Sequence, residues 1–227
     1  MNKPIFVVKN LDYIQNKELL LKIKNFEIHR GACYMFSGEM ASGKSLLMSL
    51  LTKKIKKYSG DIIYDNTNLK SMSNSVYHND ISIVTQDTKK PFFNTVHQYI
   101  YKYISKKNDQ TKTKKFTDNI IKNMNLKSIS NLKVRHLTPS QFRWVDLAAK
   151  VGSNSKVMFI DEIEQHLSKE NAMILSKLLY RKCNYDGVSL ICTSQNPDIF
   201  KNLSSVVITL KHGRISSLRS RGKKRNS

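Results

Sequence analysis

The run Gly38-Glu39-Met40-Ala41-Ser42-Gly43-Lys44-Ser45 constrains this chain more than any other stretch. It fits G-x-x-x-x-G-K-[ST], it follows the apolar run 33–36, and the amphipathic pattern after it predicts a helix over 44–57. Strand, glycine-containing loop and helix in that order form a phosphate-binding unit. The loop turns several backbone N–H groups toward phosphate oxygens and the helix N-terminus adds the positive end of its dipole. Lys44 adds a point charge, and Ser45 supplies a hydroxyl for Mg²⁺.

Such a unit sits at the edge of a sheet, and the rest of the chain supplies one. Short apolar or β-branched runs at 5–9, 23–28, 61–64, 81–85, 157–160, 188–193 and 206–210 predict strands, with 61–64 an edge strand. The last three alternate with helical patterns at 139–151 and 168–182, the mark of βαβ units around a parallel sheet. Between 91 and 132 apolar residues recur every three or four positions, which predicts a helical lobe of about 90–150 inserted between strands. The stretch 105–115 has five Lys and no apolar residue and predicts an exposed loop. Lys211-His212-Gly213-Arg214 predicts a turn into a last short strand, and 219–227 a disordered basic tail. The whole is expected to be one domain.

A second chemical signal stands at Val157-Met158-Phe159-Ile160-Asp161-Glu162, an apolar strand closing in two carboxylates. That is the edge where α/β sheets bind ligands. Asp161 is placed to reach Mg²⁺, directly or through water, and Glu162 to orient or deprotonate an attacking water.

Composition narrows the class. No apolar run approaches the roughly 18 to 20 residues that span a bilayer, and the apolar stretch 5–8 is too short for a signal peptide. The chain itself is therefore not expected to be a channel or permease. Lys plus Arg number 39 against 17 Asp plus Glu, a net charge of +22, which raises nucleic acid and anionic lipid as partners. The basic residues are spread along the chain, without a stripe interleaved with aromatics, so nucleic acid is not the expected partner. Three widely spaced cysteines and six scattered histidines form neither a disulfide framework nor a zinc pattern, which fits a reducing cytosol.

Taken together, these residues resemble the ATP-binding cassette family, the nucleotide-binding subunits of ABC transporters, over nearly the whole chain. The resemblance implies an α/β fold: a P-loop NTPase parallel-sheet core with an N-terminal antiparallel β subdomain and an inserted helical lobe. It implies ATP and Mg²⁺ as cofactors, a second ABC cassette as head-to-tail partner, a separate integral membrane permease, and a place on the cytoplasmic face of the membrane. By the same resemblance Tyr13 stacks on adenine. Gln86 is the glutamine that touches Mg²⁺ and couples to the membrane subunit.

Leu137-Thr138-Pro139-Ser140-Gln141 stands where the family has LSGGQ, 24 residues before Asp161. Read physically it is a helix start, with Thr138 as N-cap, Pro139 at the first position and Gln141 closing a capping box. Read by resemblance, Thr138, Ser140 and Gln141 contact phosphate across the dimer, and Pro139 removes one N–H donor. Ala41 replaces a usual glycine, and Leu46 stands where a second hydroxyl is usual. Gln195 takes the place of the switch histidine, 34 residues after Asp161, and counts with Glu162 among the catalytic positions. The segment 165–168 stands in the D-loop place and ends in Ser168, which also reads as a helix cap. These departures bear on turnover more than on binding. An alternative from another class is a cytosolic, non-transport ABC-like ATPase or regulator associated with nucleic acid. A module that holds ATP without turnover is a third.

Overall fold

The computed structural model describes residues 3–85, 88–105 and 110–220. The chain begins with a long hairpin, β1 (Pro4–Gln15) against β2 (Glu18–His29). Its turn residues Asn16 and Lys17 have φ of 52° and 66°, the left-handed pair that matches the twist of the flanking strands. β4 (Ser59–Tyr64) lies antiparallel on the other side of β1, and the two-residue β5 (Thr67–Asn68) completes a sheet of order β2-β1-β4-β5. The runs 5–9 and 23–28 are thus the buried centres of longer strands. The run 61–64, expected at an edge, lies inside the sheet, because Asp65 and Asn66 turn the chain back onto it at φ 47° and 65°.

The second sheet has the order β10-β9-β3-β8-β7-β6. β3 (Cys33–Ser37), β6 (Ile81–Val84), β7 (Val157–Ile160), β8 (Ser189–Ser194) and β9 (Val206–Lys211) are parallel, and β10 (Arg214–Ser220) is antiparallel on β9. Alternate residues feed two cores. Tyr34, Phe36, Val157, Phe159 and Ile191 pack with the first sheet and α1 (Lys44–Leu51), while Met35, Met158, Ile160, Leu190 and Cys192 pack with the helices of the opposite face. Burial on both faces is why these strands read as unbroken apolar runs. All three cysteine thiols are free and buried.

Between β6 and β7 come α3 (Val96–Ile104), α4 (Gln110–Asn123), two 3₁₀ turns and α5 (Pro139–Gly152); α6 (Lys169–Asn184) joins β7 to β8. No helix among the described residues is long and apolar enough to cross a membrane.

Three further expectations need correction, and one helix was not expected. Helix α1 stops at Leu51, not near 57, because Lys53 takes a left-handed φ of 58° and the Ile55 amide donates back to the Ser49 carbonyl. A short helix that the sequence reading missed, α2 (Asn74–Asp80), starts at Ser73, whose hydroxyl accepts from the Val76 amide. Residues 110–115 are not loop but the first turns of α4, whose inner face is made by Thr113, Thr117 and Ile121 at helical spacing. Arg219 and Ser220, assigned to a disordered tail, end β10. Residues 221–227 lie outside the described residues, as does Gln86.

Candidate functional site

Four parallel strands, β3, β8, β7 and β6, end side by side: Ser37 is level with Ser194, Cys192 with Ile160, and Ile160 with Val84. Every candidate chemical group of the two main sequence signals leaves the sheet at this edge. From β3 comes the loop 38–45, from β7 Asp161 and Glu162, from β8 Gln195. β6 leads into Thr85.

The loop is wrapped on itself. Gly38 has φ 145°, and a Cβ there would lie 2.3 Å from the Leu210 carbonyl oxygen, so any side chain would push the loop off β9. Lys44, nearly buried, turns its ammonium back and donates to the carbonyls of Gly38 (2.8 Å) and Glu39 (2.7 Å) and to Ser42 Oγ (3.3 Å). The Ser42 amide donates to the Glu39 carbonyl at 3.2 Å. Glu39, Met40 and Ala41 form the exposed crest. Ala41 is left-handed at φ 58°, a conformation that costs an L-residue about 1–2 kcal/mol and suits the glycine usual there. Helix α1 opens at Gly43 without a side-chain cap, which leaves its first amides for an anion. Leu46 packs sideways into the core beneath.

A turn expected only to join two strands holds this loop from behind. The Gly213 amide donates to the Ser42 carbonyl (3.0 Å), and the Gly213 carbonyl accepts from the Lys22 amide (2.8 Å). Gly213 has φ 69°, and a Cβ on it would lie 2.1 Å from the Leu20 carbonyl oxygen. Gly213→Ala is therefore expected to cost at least about 2 kcal/mol, from left-handed strain plus a backbone clash. Thermal unfolding measures it, and an unchanged transition would mean that the turn does not brace the loop.

At the ends of β7 and β8 one hydroxyl ties the two carboxylate residues together. Thr193 Oγ1 donates to Asp161 Oδ1 at 2.6 Å and accepts from the Glu162 amide at 2.7 Å. Ser45 Oγ reaches the same Asp161 Oδ1 at 3.4 Å. Glu162 sits at a left-handed φ of 47°. Its Oε1 accepts from Gln195 Nε2 at 3.3 Å, and the Gln195 amide in turn donates to Glu164 Oε1 at 2.6 Å. Beneath them Arg143, nearly buried, donates to the carbonyls of Thr85 (3.1 Å), Asp161 (2.6 Å) and Glu162 (3.2 Å). Burial lowers its pKa from the ordinary arginine value, against the pull of Asp146, Asp161 and Glu162.

The segment in the signature position is elsewhere. Thr138 Oγ1 accepts from the Gln141 amide at 3.2 Å, Gln141 Oε1 accepts from the Thr138 amide at 2.9 Å, and Pro139 is the first residue of α5, so the capping box read from sequence is formed. Ser140 and Gln141 line a hollow with His166 and Asn171, away from the loop 38–45. Ser168 caps α6 through the Asn171 amide at 3.1 Å. Tyr13 is opposite Leu21 in the hairpin and partly buried against the N-terminal core, and Leu21 in turn lies against Gly43.

The structure thus gathers Lys44, Ser45, Asp161, Glu162 and Gln195 at one edge and keeps Thr138, Ser140 and Gln141 apart from them. Sequence reasoning missed Thr193, Arg143, Glu164 and Gly213. The available signals were a threonine at the end of an apolar strand and an arginine on the apolar side of a helix.

The sequence profile described as ABC transporter matches residues 21–165. The probable iron export ATP-binding protein FetA of Escherichia coli K12 is 20% identical over 211 residues, covering 93% of each chain. The galactose/methyl galactoside import ATP-binding protein MglA of Fusobacterium nucleatum is 29% identical over 213 residues, 91% of this chain and 40% of that protein. Several relatives are thus more than twice as long as the part this chain matches, while FetA is matched almost end to end. Among solved structures, the cbiO1 protein of Clostridium perfringens, part of the ABC transporter complex cbiONQ, superposes with a TM-score of 0.80 at 24% identity, over 96% of this chain and 88% of that one. A dimeric bacterial ABC transporter cassette gives 0.83 at 19% identity, over 96% and 99%. These likenesses establish the fold as a P-loop NTPase core with an antiparallel β subdomain and an inserted helical lobe.

Proposed function

This chain belongs to the ABC transporter family, and from that premise we propose that it is an ATP-binding and ATP-hydrolysing subunit that powers transport through a separate membrane subunit. The observation that carries the reading is the convergence, across loop and strand, of the Ser45 hydroxyl on the Asp161 carboxylate at 3.4 Å. No group of three His, Cys, Asp or Glu side chains among the described residues is arranged to hold a metal ion by itself. Mg²⁺ at a nucleotide needs none: it takes one or two protein oxygens and fills its shell with phosphate and water. Ser45 and Asp161 are hard oxygen donors of that kind, and they fit. When bound, Mg²⁺ neutralises charge that develops on the transferred phosphoryl group.

The chain's own residues do the rest. The loop amides from Gly38 to Ser45 cradle phosphate, with Leu46 anchoring the helix behind them, and Tyr13 stacks on the adenine. Lys44 exchanges its loop acceptors for phosphate oxygens. Glu162 orients the attacking water and takes its proton, with Gln195 holding the carboxylate by its amide. Gln86 completes the metal shell and signals to the membrane subunit. Thr138, Ser140 and Gln141 serve the nucleotide of a second cassette, which explains their distance from this chain's own loop. The working place is the cytoplasmic face of the membrane, docked on an integral permease.

Turnover is slow on this reading. Pro139 lacks a phosphate-directed N–H, and Gln195 cannot change protonation as histidine does. Loss of one preorganised donor costs about 100-fold to 1000-fold in rate. Pro139→Gly with Gln195→His is expected to raise single-turnover hydrolysis at least about tenfold; equal rates would mean that these positions are not defects.

The reading as a whole is tested by two measurements on the purified chain and its native membranes. Mg-ATP binding and hydrolysis, together with recovery of a polytopic membrane protein, support it. Recovery with nucleic acid at low salt and no membrane chain favours the cytosolic ATPase, the reading kept alive by the net charge of +22.

A further inference from the structure

Among the described residues Arg143 is the one guanidinium set under the catalytic edge, and its position is unusual for a charge. It is 5% exposed, it projects from α5, and among the described residues its two terminal nitrogens donate only to main-chain oxygens: Nη1 to Thr85, Nη2 to Asp161 and Glu162. Its Nε has no hydrogen-bond partner among the described residues. A buried arginine used for ion pairing would meet a carboxylate, whereas this one gathers carbonyls from two strand ends. Both segments do something in the proposed reaction. Asp161 and Glu162 carry the two carboxylates, and Thr85 is the residue before Gln86.

We propose that Arg143 is a positioning residue that clamps the Asp161–Glu162 turn to the end of β6, so that the catalytic carboxylate and the segment leading to Gln86 move as one unit. The inference rests on the proposed ATPase reading. The geometry supports it from both sides of Glu162. The left-handed backbone at this residue is sustained by Thr193 on its amide and by Arg143 on its carbonyl. Remove the second hold and the turn keeps its hydroxyl tie to β8 and the bond from the Asp161 amide to the Val84 carbonyl of β6 at 2.9 Å, but loses its tie to Thr85 and to α5. Asp146, one turn along α5, adds negative charge near the guanidinium, and its Oδ1 accepts from Tyr99 of α3 at 2.7 Å. The clamp is thereby linked to the helical elements between β6 and β7.

Lysine cannot replace it. Its single ammonium is a point charge and cannot reach carbonyls that fan out from two nitrogens. Arg143→Lys keeps the charge and stem, so the variant is expected to fold. In the nucleotide-free protein, amide exchange in segments 81–85 and 158–164 should accelerate together by about tenfold or more, with α1 unchanged. At saturating Mg-ATP, kcat should fall by about 10-fold to 100-fold, the scale of a misplacement near 1 Å, with KM within about threefold. Wild-type exchange in both segments would overturn the proposal. So would a fall of kcat, KM and thermal midpoint together, which would make Arg143 a packing residue only. If the wild type neither binds nor hydrolyses Mg-ATP, the ATPase reading fails and the exchange measurement decides the clamp by itself.

Discussion

Lys44→Ala is expected to raise the dissociation constant for Mg-ATP at least about 100-fold, close to 2.7 kcal/mol. A charge-assisted hydrogen bond contributes about 1.5–3 kcal/mol, and in the proposed complex this ammonium faces the β and γ oxygens. In the free protein its donors rest on the carbonyls of Gly38 and Glu39 and on Ser42 Oγ. Neither Gly38 nor Glu39 is buried, so their carbonyls turn to water when the lysine is removed. The stability loss should stay below about 1 kcal/mol for that reason. Binding and folding are therefore separable in this variant. Calorimetry with Mg²⁺ present measures the first and thermal unfolding the second. An unchanged affinity would remove the loop from the nucleotide site.

The loop was legible in the sequence because its chemistry is local. Gly38 through Ser45 specify a backbone path by glycine placement and a charge by one lysine, and both lie within eight residues. The same holds for the capping box of Thr138 and Gln141, and for the strand that ends in Asp161 and Glu162. Helix α4 was misread for the opposite reason. Its first turns hold Lys112, Lys114 and Lys115 and no apolar residue, yet its buried face is threonine: Thr117 Oγ1 donates to the Thr113 carbonyl at 2.8 Å and both residues are fully buried. A periodicity search that counts only apolar residues does not see such a face. The early end of α1 is similar, since a left-handed Lys53 has no sequence mark of the kind that glycine gives.

What stayed hidden were residues whose partners are distant in sequence. Thr193 meets Asp161 and Glu162 only because β7 and β8 are neighbours in register. Gly213 reads as an ordinary turn until the structure sets it behind Ser42. Arg143 stands among apolar residues in a helical pattern, but only the packing of α5 beneath β6 and β7 shows which carbonyls it meets. In each case the sheet order, not the residue type, creates the function. Strand order is what a single sequence states least directly, because parallel pairing skips over the intervening helices.

Glu162→Gln is expected to slow hydrolysis by two to four decades while leaving Mg-ATP affinity within about threefold, the usual loss for a positioned proton acceptor. The substitution is nearly isosteric, and the structure says what it preserves. The Glu162 amide still donates to Thr193 Oγ1, its carbonyl still accepts from Arg143 and from the Gln165 amide, and a glutamine Oε1 still accepts from Gln195 Nε2. The left-handed backbone at φ 47° is therefore kept, and with it the aim of the side chain. Only the ability to take a proton is lost. Lys44, Ser45 and Asp161 are untouched, so the nucleotide should stay bound and uncleaved, and the ATP-bound dimer should accumulate. Sedimentation with ATP and single-turnover hydrolysis give the two readings. A variant that turns over at the wild-type rate would exclude Glu162 as the base. A variant that loses ATP affinity would show instead that this carboxylate, and not Asp161 alone, helps to hold the metal.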